Sequence, residues 1–224
     1  VTNSYVEGCW IDVYGLINIC NTILDPNTLS IIESAEDRSL VEGEAKFLRG
    51  WVMFEVTRLF GLPYEPGGSN AQPGVPIVLN PTKDVADAIE VARSSVKECY
   101  DQVIADLITA RDLLPEENGV YATTFAASAV LARLYLQQGN YTGAATEANK
   151  VIESGLFSLT DTPLEPFNIT GTSPEVIFAL ENNVASNTSW LTVMYASLNG
   201  MGRGDYDIQP GFLTKFDPAD LRGM

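Results

Sequence analysis

Apolar residues recur at helical spacing through most of the first 155 positions. Val13, Ile17, Cys20 and Leu24 fall on one stripe, with Trp10 and Tyr14 alongside, and Asp25-Pro26 closes the run, which predicts a helix over 8–24. A second helical segment is expected near Leu29–Glu36 and a longer one over Glu44–Phe60. In the longer one Leu48, Trp51, Val52, Val56 and Leu59 mark the buried stripe, and Gly61 with Pro63 ends it. Ser95-Val96-Lys97-Glu98 has capping-box spacing and opens a helix to about Leu114, with Val96, Cys99, Tyr100, Val103, Leu107 and Ala110 inward. Thr123 or Thr124 caps the next helix, where Ala127, Val130, Leu131, Leu134 and Tyr135 repeat at i, i+3, i+4, i+7 and i+8. A Gly139-Asn140 turn leads to Tyr141–Ser154, with Ala144, Ala148, Val151 and Ile152 inward.

Elsewhere the helical period lapses. Gly61–Lys83 is dense in glycine and proline and is expected as an extended surface loop. After Gly155 the chain turns to Thr, Pro, Asn and Gly. Glu175–Leu180 is the best strand candidate, short, β-branched and bounded by Pro174 and Asn182-Asn183. The stretch 183–208 mixes Asn, Ser, Gly and aromatics without a period, and Gly211–Phe216 is expected as one short helix.

An internal similarity links the helices. Ala126–Leu159 has the small-residue and Gly-x-Tyr placement of a tetratricopeptide unit, in which small side chains let two antiparallel helices approach closely. Glu44–Phe60 with the helix after Ser95 forms a similar pair, provided that 61–94 is an insertion. The expectation is a mostly α fold: tetratricopeptide-like helical hairpins, an αα superhelix, with long irregular loops and a few short strands. All of 1–224 is then one domain, with two hairpins over 44–159 and a ligand-facing loop region over 160–210.

Composition narrows the chemistry. Thirteen Lys+Arg against 29 Asp+Glu give a formal net charge of −16 with no histidine among the 224 residues. Such a field repels phosphate backbones, so no nucleic-acid partner is expected. Without histidine there is no Ser-His-Asp triad, no Cys-His pair and no His-containing zinc site. The cysteines Cys9, Cys20 and Cys99 show no C-x-x-C spacing and are read as buried thiols. No metal, no cofactor and no catalytic residue is expected.

Ordered blocks of residues carry a family resemblance. They begin with Trp10-x3-Tyr14-x2-Ile17-x2-Cys20-Asn21, Gly43-Glu44-Ala45-Lys46-Phe47-Leu48-Arg49-Gly50 and Arg58-Leu59-Phe60-Gly61-Leu62-Pro63. Tyr100-Asp101, Leu131-Ala132-Arg133-Leu134-Tyr135-Leu136, Gly139-Asn140-Tyr141, Val151–Gly155, Glu175-Val176-Ile177-Phe178 and Phe216-Asp217-Pro218-x-Asp220-Leu221-Arg222 continue the series. Together they resemble the SusD/RagB family of nutrient-binding outer-membrane lipoproteins. One departure is Val120-Tyr121-Ala122-Thr123, where the family often has Gly-Arg-Ala-Thr. Family members are usually longer. The resemblance implies that a lipoprotein leader, part of the N-terminal region and the C-terminal helices lie outside these residues.

The resemblance also implies a function. Such proteins are outward-facing, lipid-anchored lids on a TonB-dependent outer-membrane transporter. They bind oligosaccharide or polysaccharide, or peptides, without cleaving them. A glycan binder needs flat aromatic faces beside hydroxyl-pairing groups. Asn187, Trp190, Tyr195, Asn199, Arg203, Asp205 and Tyr206 supply that mixture and are the candidate ligand-binding residues. Packing of the loop on the helical core is the competing role for Trp190 and Tyr195. Tyr64 and Asn70 are weaker candidates. Trp10, Phe47, Trp51 and Tyr135 are expected in the core, and Arg49, Arg58 and Arg133 in structural ion pairs with Glu44, Glu55 or Asp106. The alternative functions are a tetratricopeptide adaptor for protein partners, or a polysaccharide-degrading enzyme relying on carboxylates alone.

Overall fold

The computed structural model describes residues 3–87, 89–163, 165–167, 171–180, 194, 203, 205–206 and 209–220. The chain divides into two compact units, Val1–Gly155 and Leu156–Met224.

In the first unit, α1 (Ser4–Leu24) starts at Asn3, whose side chain accepts the Tyr5 and Val6 amides. Asp25 ends it and caps the single turn α2 (Pro26–Leu29). No helix covers 29–36 as the pattern suggested. Ser34 caps a new helix, α3 (Ala35–Phe60), and Arg38 reaches back to the carbonyls of Leu29 and Ile32, so side-chain bonds satisfy this link instead of helical ones. The capping box at Ser95 is present in full and opens α4 (Val96–Leu113). Thr123 caps α5 (Thr124–Gln137), and Asn140 caps α6 (Tyr141–Glu153). Among the described residues, no helix is long and apolar enough to cross a membrane.

Packing runs in chain order: α1 on α3, α3 on α4, α4 on α5 and α5 on α6. Helix α3 is therefore buried on two sides, which a single stripe does not anticipate. Phe47, Met53, Phe54 and Val56 are buried, Leu48, Trp51 and Val52 are half-buried, and Leu59 is 68% exposed. Gly43 and Gly50 sit where any side chain would press on Leu114 and Leu107, so α4 lies close against α3. The expected stripe of α4 is buried throughout. On α6, Val151 is buried, but Ile152 is 69% exposed. Glu147 takes the inward position instead, paired with Arg111 and Lys150. Of the three cysteines, Cys20 and Cys99 are buried and Cys9 is exposed, in the first turns of α1 where most residues face solvent.

The segment between α3 and α4 has little regular structure, yet its backbone is well satisfied. Tyr14 Oη donates to Pro76 O (2.8 Å), Asn21 to Val78 O (2.9 Å), and Asn18 exchanges two bonds with Thr82. Arg93 donates to Phe60 O and Gly74 O, tying the end of α3 to the segment that follows it.

In the second unit, Glu175–Leu180 forms no strand. Ser173–Val176 turns instead, and Glu175 bonds the Thr160 amide and hydroxyl. Among the described residues, only the Ser158–Pro174 backbone bond approximates pairing there, and a lone bond does not build a ladder. The expected helix at Gly211–Phe216 is shorter: α7 covers Pro210–Leu213, with Phe212 edge-on to Phe216 at 5.3 Å.

Candidate functional site

Four expected ligand residues, Asn187, Trp190, Tyr195 and Asn199, lie outside the described residues. The other three are described. Arg203 Nη2 meets Asp205 Oδ2 at 2.9 Å in an ion pair open to solvent, and Tyr206 is 54% exposed. A guanidinium, a carboxylate and a tyrosine ring are thus presented together in the second unit, the set of groups a hydroxyl-rich ligand can use. Among the described residues, no group of three His, Cys, Asp or Glu side chains is placed to hold a metal.

The first unit contains a cleft of about 310 Å³, lined by Glu55, Arg58, Leu59, Leu62, Pro63, Tyr64, Tyr100 and Gln137. Three pieces of chain converge there. The C-terminal turns of α3 supply Glu55, Arg58 and Leu59. Gly61 then redirects the chain, since a Cβ there would stand 2.6 Å from Thr57 O. The Leu62–Tyr64 segment forms one wall, and Gln137 at the end of α5 contributes to the lining.

Tyr64 is held in place. Its ring lies 4.6 Å from Tyr100, which meets Phe54 edge-on at 5.8 Å. Asn70 adopts a left-handed conformation (φ 53°) and is buried. Its side chain accepts the Glu65 amide at 2.7 Å and donates to the carbonyls of Glu65 and Gly68. Asn70 is therefore a pin for the loop rather than an exposed ligand group. Gln72 adds a bond to Pro63 O at 2.8 Å. Burial pushes the Tyr100 phenol up to about 12, so it stays a neutral donor and acceptor at the base of the cleft.

The arginines sort as ion pairs. Arg58 Nη1 contacts Glu55 at 2.7 Å and its guanidinium lies over Phe54, while Arg133 reaches the other Glu55 oxygen at 3.5 Å. Arg49 pairs with Asp106 in the core. Phe47 is fully buried, whereas Trp10, Trp51 and Tyr135 are half-buried. Sequence reasoning named Tyr64 but missed Gln137 and Arg58 as neighbours of it. Gln137 is distant along the chain, and the bend at Gly61 between Arg58 and Tyr64 breaks any local period that would join those two.

The family model for SusD-like proteins, described as starch-binding and associating with the outer membrane, matches residues 1–136. A curated SusD-like protein of Formosa agariphila is 27% identical over 155 residues, 68% of this chain and 28% of its own length. Among solved structures, a SusD-superfamily protein from Bacteroides thetaiotaomicron is 30% identical. It superposes with a TM-score of 0.71 over 80% of this chain and 39% of that one. A SusD-like carbohydrate-binding protein from Bacteroides vulgatus shares 22% identity and a TM-score of 0.76 over 96% of this chain and 46% of that one, which speaks to fold. The chain thus spans less than half the length of each of these relatives. The helical order, the α3–α4 and α5–α6 pairs and the model match agree, and the chain belongs to the SusD-like family.

Proposed function

We propose that the protein of which this chain is part captures glycans at the outer face of the outer membrane and passes oligosaccharide to a TonB-dependent transporter. It binds and does not cleave. The observation that carries this reading is the match of residues 1–136 to a family described as starch-binding and outer-membrane-associated. The exposed Arg203, Asp205 and Tyr206 support it, and Asn187, Trp190, Tyr195 and Asn199 are proposed as their partners in ligand contact. The lipid anchor and the transporter contact are assigned to the longer protein. Domain organisation follows the same proposal, with two tetratricopeptide-like hairpins over 44–159 forming the rigid scaffold.

A glycan array on the longer protein, followed by a reducing-end assay on every glycan bound, tests the reading. Saturable binding without new reducing ends is expected. Turnover abolished by Asp205→Asn, or binding of peptides alone, would overturn it. Co-purification with a TonB-dependent transporter tests the delivery step.

A further inference from the structure

We infer that the cleft at the end of α3 is a subsite for a sugar ring of a neutral oligosaccharide, with the Tyr64 ring as its stacking surface. The inference rests on the glycan-binding reading above and adds a second place of contact, away from Arg203–Tyr206 in sequence. At about 310 Å³ the cleft stands at the lower end of small-molecule sites, which run from ~300 to ~1,000 Å³. That suits a monosaccharide unit rather than a long chain.

Its lining has two chemistries in the right proportion. Leu59 and Leu62 are 68% and 55% exposed, and with Pro63 and Tyr64 they make an apolar wall. Leu59 lies on the helical stripe that should be core, yet none of the described residues of this unit covers it. The polar side is Glu55, Arg58 and Gln137, which between them offer a carboxylate, a guanidinium and an amide. Pyranose rings present the complementary pair, an apolar C–H face and a rim of hydroxyls that both donate and accept.

Charge argues for a neutral ligand. Glu55 already meets both Arg58 and Arg133, which leaves a single cation in excess here, in a chain of net charge −16. That one charge is engaged in ion pairing and set in an acidic chain, so a phosphate or polyanion gains little attraction here. A peptide captured as an added strand needs an exposed sheet edge, and the described residues contain no strand. Rigidity favours binding as well. Asn70, Gln72 and the Tyr100 ring fix Tyr64 before any ligand arrives, so little ordering cost falls on association.

The test titrates the chain with maltohexaose, laminarihexaose and, as the peptide control, trialanine by calorimetry, using wild type, Tyr64→Ala, Tyr64→Phe and Gln137→Ala. Circular dichroism and melting are recorded for each. Expected are glucan binding by wild type, a loss of roughly tenfold or more in affinity for Tyr64→Ala, and near-wild-type affinity for Tyr64→Phe, which keeps the ring face. Gln137→Ala weakens binding without altering the melt, and carries the test if Tyr64→Ala fails to fold. Glucan binding by wild type that neither Tyr64→Ala nor Gln137→Ala changes overturns this subsite while leaving the glycan reading in place. Binding of neither glucan, or of trialanine alone, also overturns this subsite, while the glycan reading is decided by the array on the longer protein.

Discussion

Arg49 and Asp106 form a two-pronged ion pair in the core, Nε to Oδ2 and Nη2 to Oδ1, each at 2.7 Å. The pair joins α3 to α4, and both residues are nearly inaccessible to water. Arg49 Nη1 also donates to Asn21 on α1 at 2.8 Å, and Lys46 reaches Asp106 at 3.0 Å. Three helices are therefore registered by a single polar cluster. Its members are mutually satisfied, which is the condition under which buried charge is tolerated.

Removing one partner leaves the other charged and buried. Arg49→Met, or Asp106→Leu, is expected to cost about 3–5 kcal/mol in urea unfolding. The double variant Arg49→Met/Asp106→Leu should recover part of that loss, since the orphaned charge disappears with its partner. Additive losses in the double variant would show that the two residues act independently.

Glycines supply a contrast within the first unit. Gly15 lies inside α1 with nothing within 4 Å of an added Cβ. Gly15→Ala should raise stability by about 0.5–1 kcal/mol, by restricting the unfolded backbone. Gly61 stands at the helix end, where the Cβ would approach Thr57 O to 2.6 Å and Gly74 Cα to 3.3 Å. Gly61→Ala should lose about 1–3 kcal/mol and loosen the wall that holds Tyr64. Equal melting shifts for the two variants would contradict this.

Local signals were the legible ones. The Ser95–Glu98 capping box, the stripe of α4 and the Gly139 turn depend on residues a few positions apart, and the structure places all three as expected. Tertiary context decided the remainder. Leu59 fits a core stripe but is 68% exposed at a chain reversal, whereas Arg49, a polar residue in that helix, is buried because Asp106 meets it. Glu175–Leu180 has strand composition, but the described residues offer no neighbouring strand to pair with, so composition alone did not make one. The cleft was half legible. Tyr64 sits in a loop of turn residues and could be named, while Gln137 reaches it only through the folding of α5.

Alkaline pH should unfold the protein early. Burial pushes the Cys20 thiol up to about 11 from its usual 9.0, raises Cys99 as well, and moves the Tyr14 and Tyr100 phenols above 10.0. Between about pH 9 and 11 the unfolded chain has released protons that the folded chain still holds, so stability falls as pH rises. Below pH 9 these groups are protonated in both states and contribute no slope. Melting temperature measured from pH 7.5 to 10.5 should be flat at first and then decline. Cys20→Ala should decline less steeply over the upper part of that range, and an unchanged slope would remove Cys20 as a cause.

Tyr206 and Trp190 are proposed ligand residues of the second unit, and paired measurements of stability and affinity decide their roles. More than half of the Tyr206 surface is open to solvent, so Tyr206→Ala should shift the melting temperature little. If its ring meets the sugar, the same variant should lose roughly 1–3 kcal/mol of glucan affinity, the usual worth of a stacked ring. Trp190→Ala is expected to follow the same pattern. A core tryptophan behaves oppositely, since truncating a buried aromatic costs about 3–5 kcal/mol of stability. Arg203→Ala provides the polar counterpart: it breaks the solvent-exposed pair with Asp205, which contributes little to stability, and should weaken binding only if the guanidinium contacts ligand hydroxyls. A steep loss of melting temperature for Trp190→Ala with intact affinity would assign that residue to packing and leave Tyr206 as the ring of this surface.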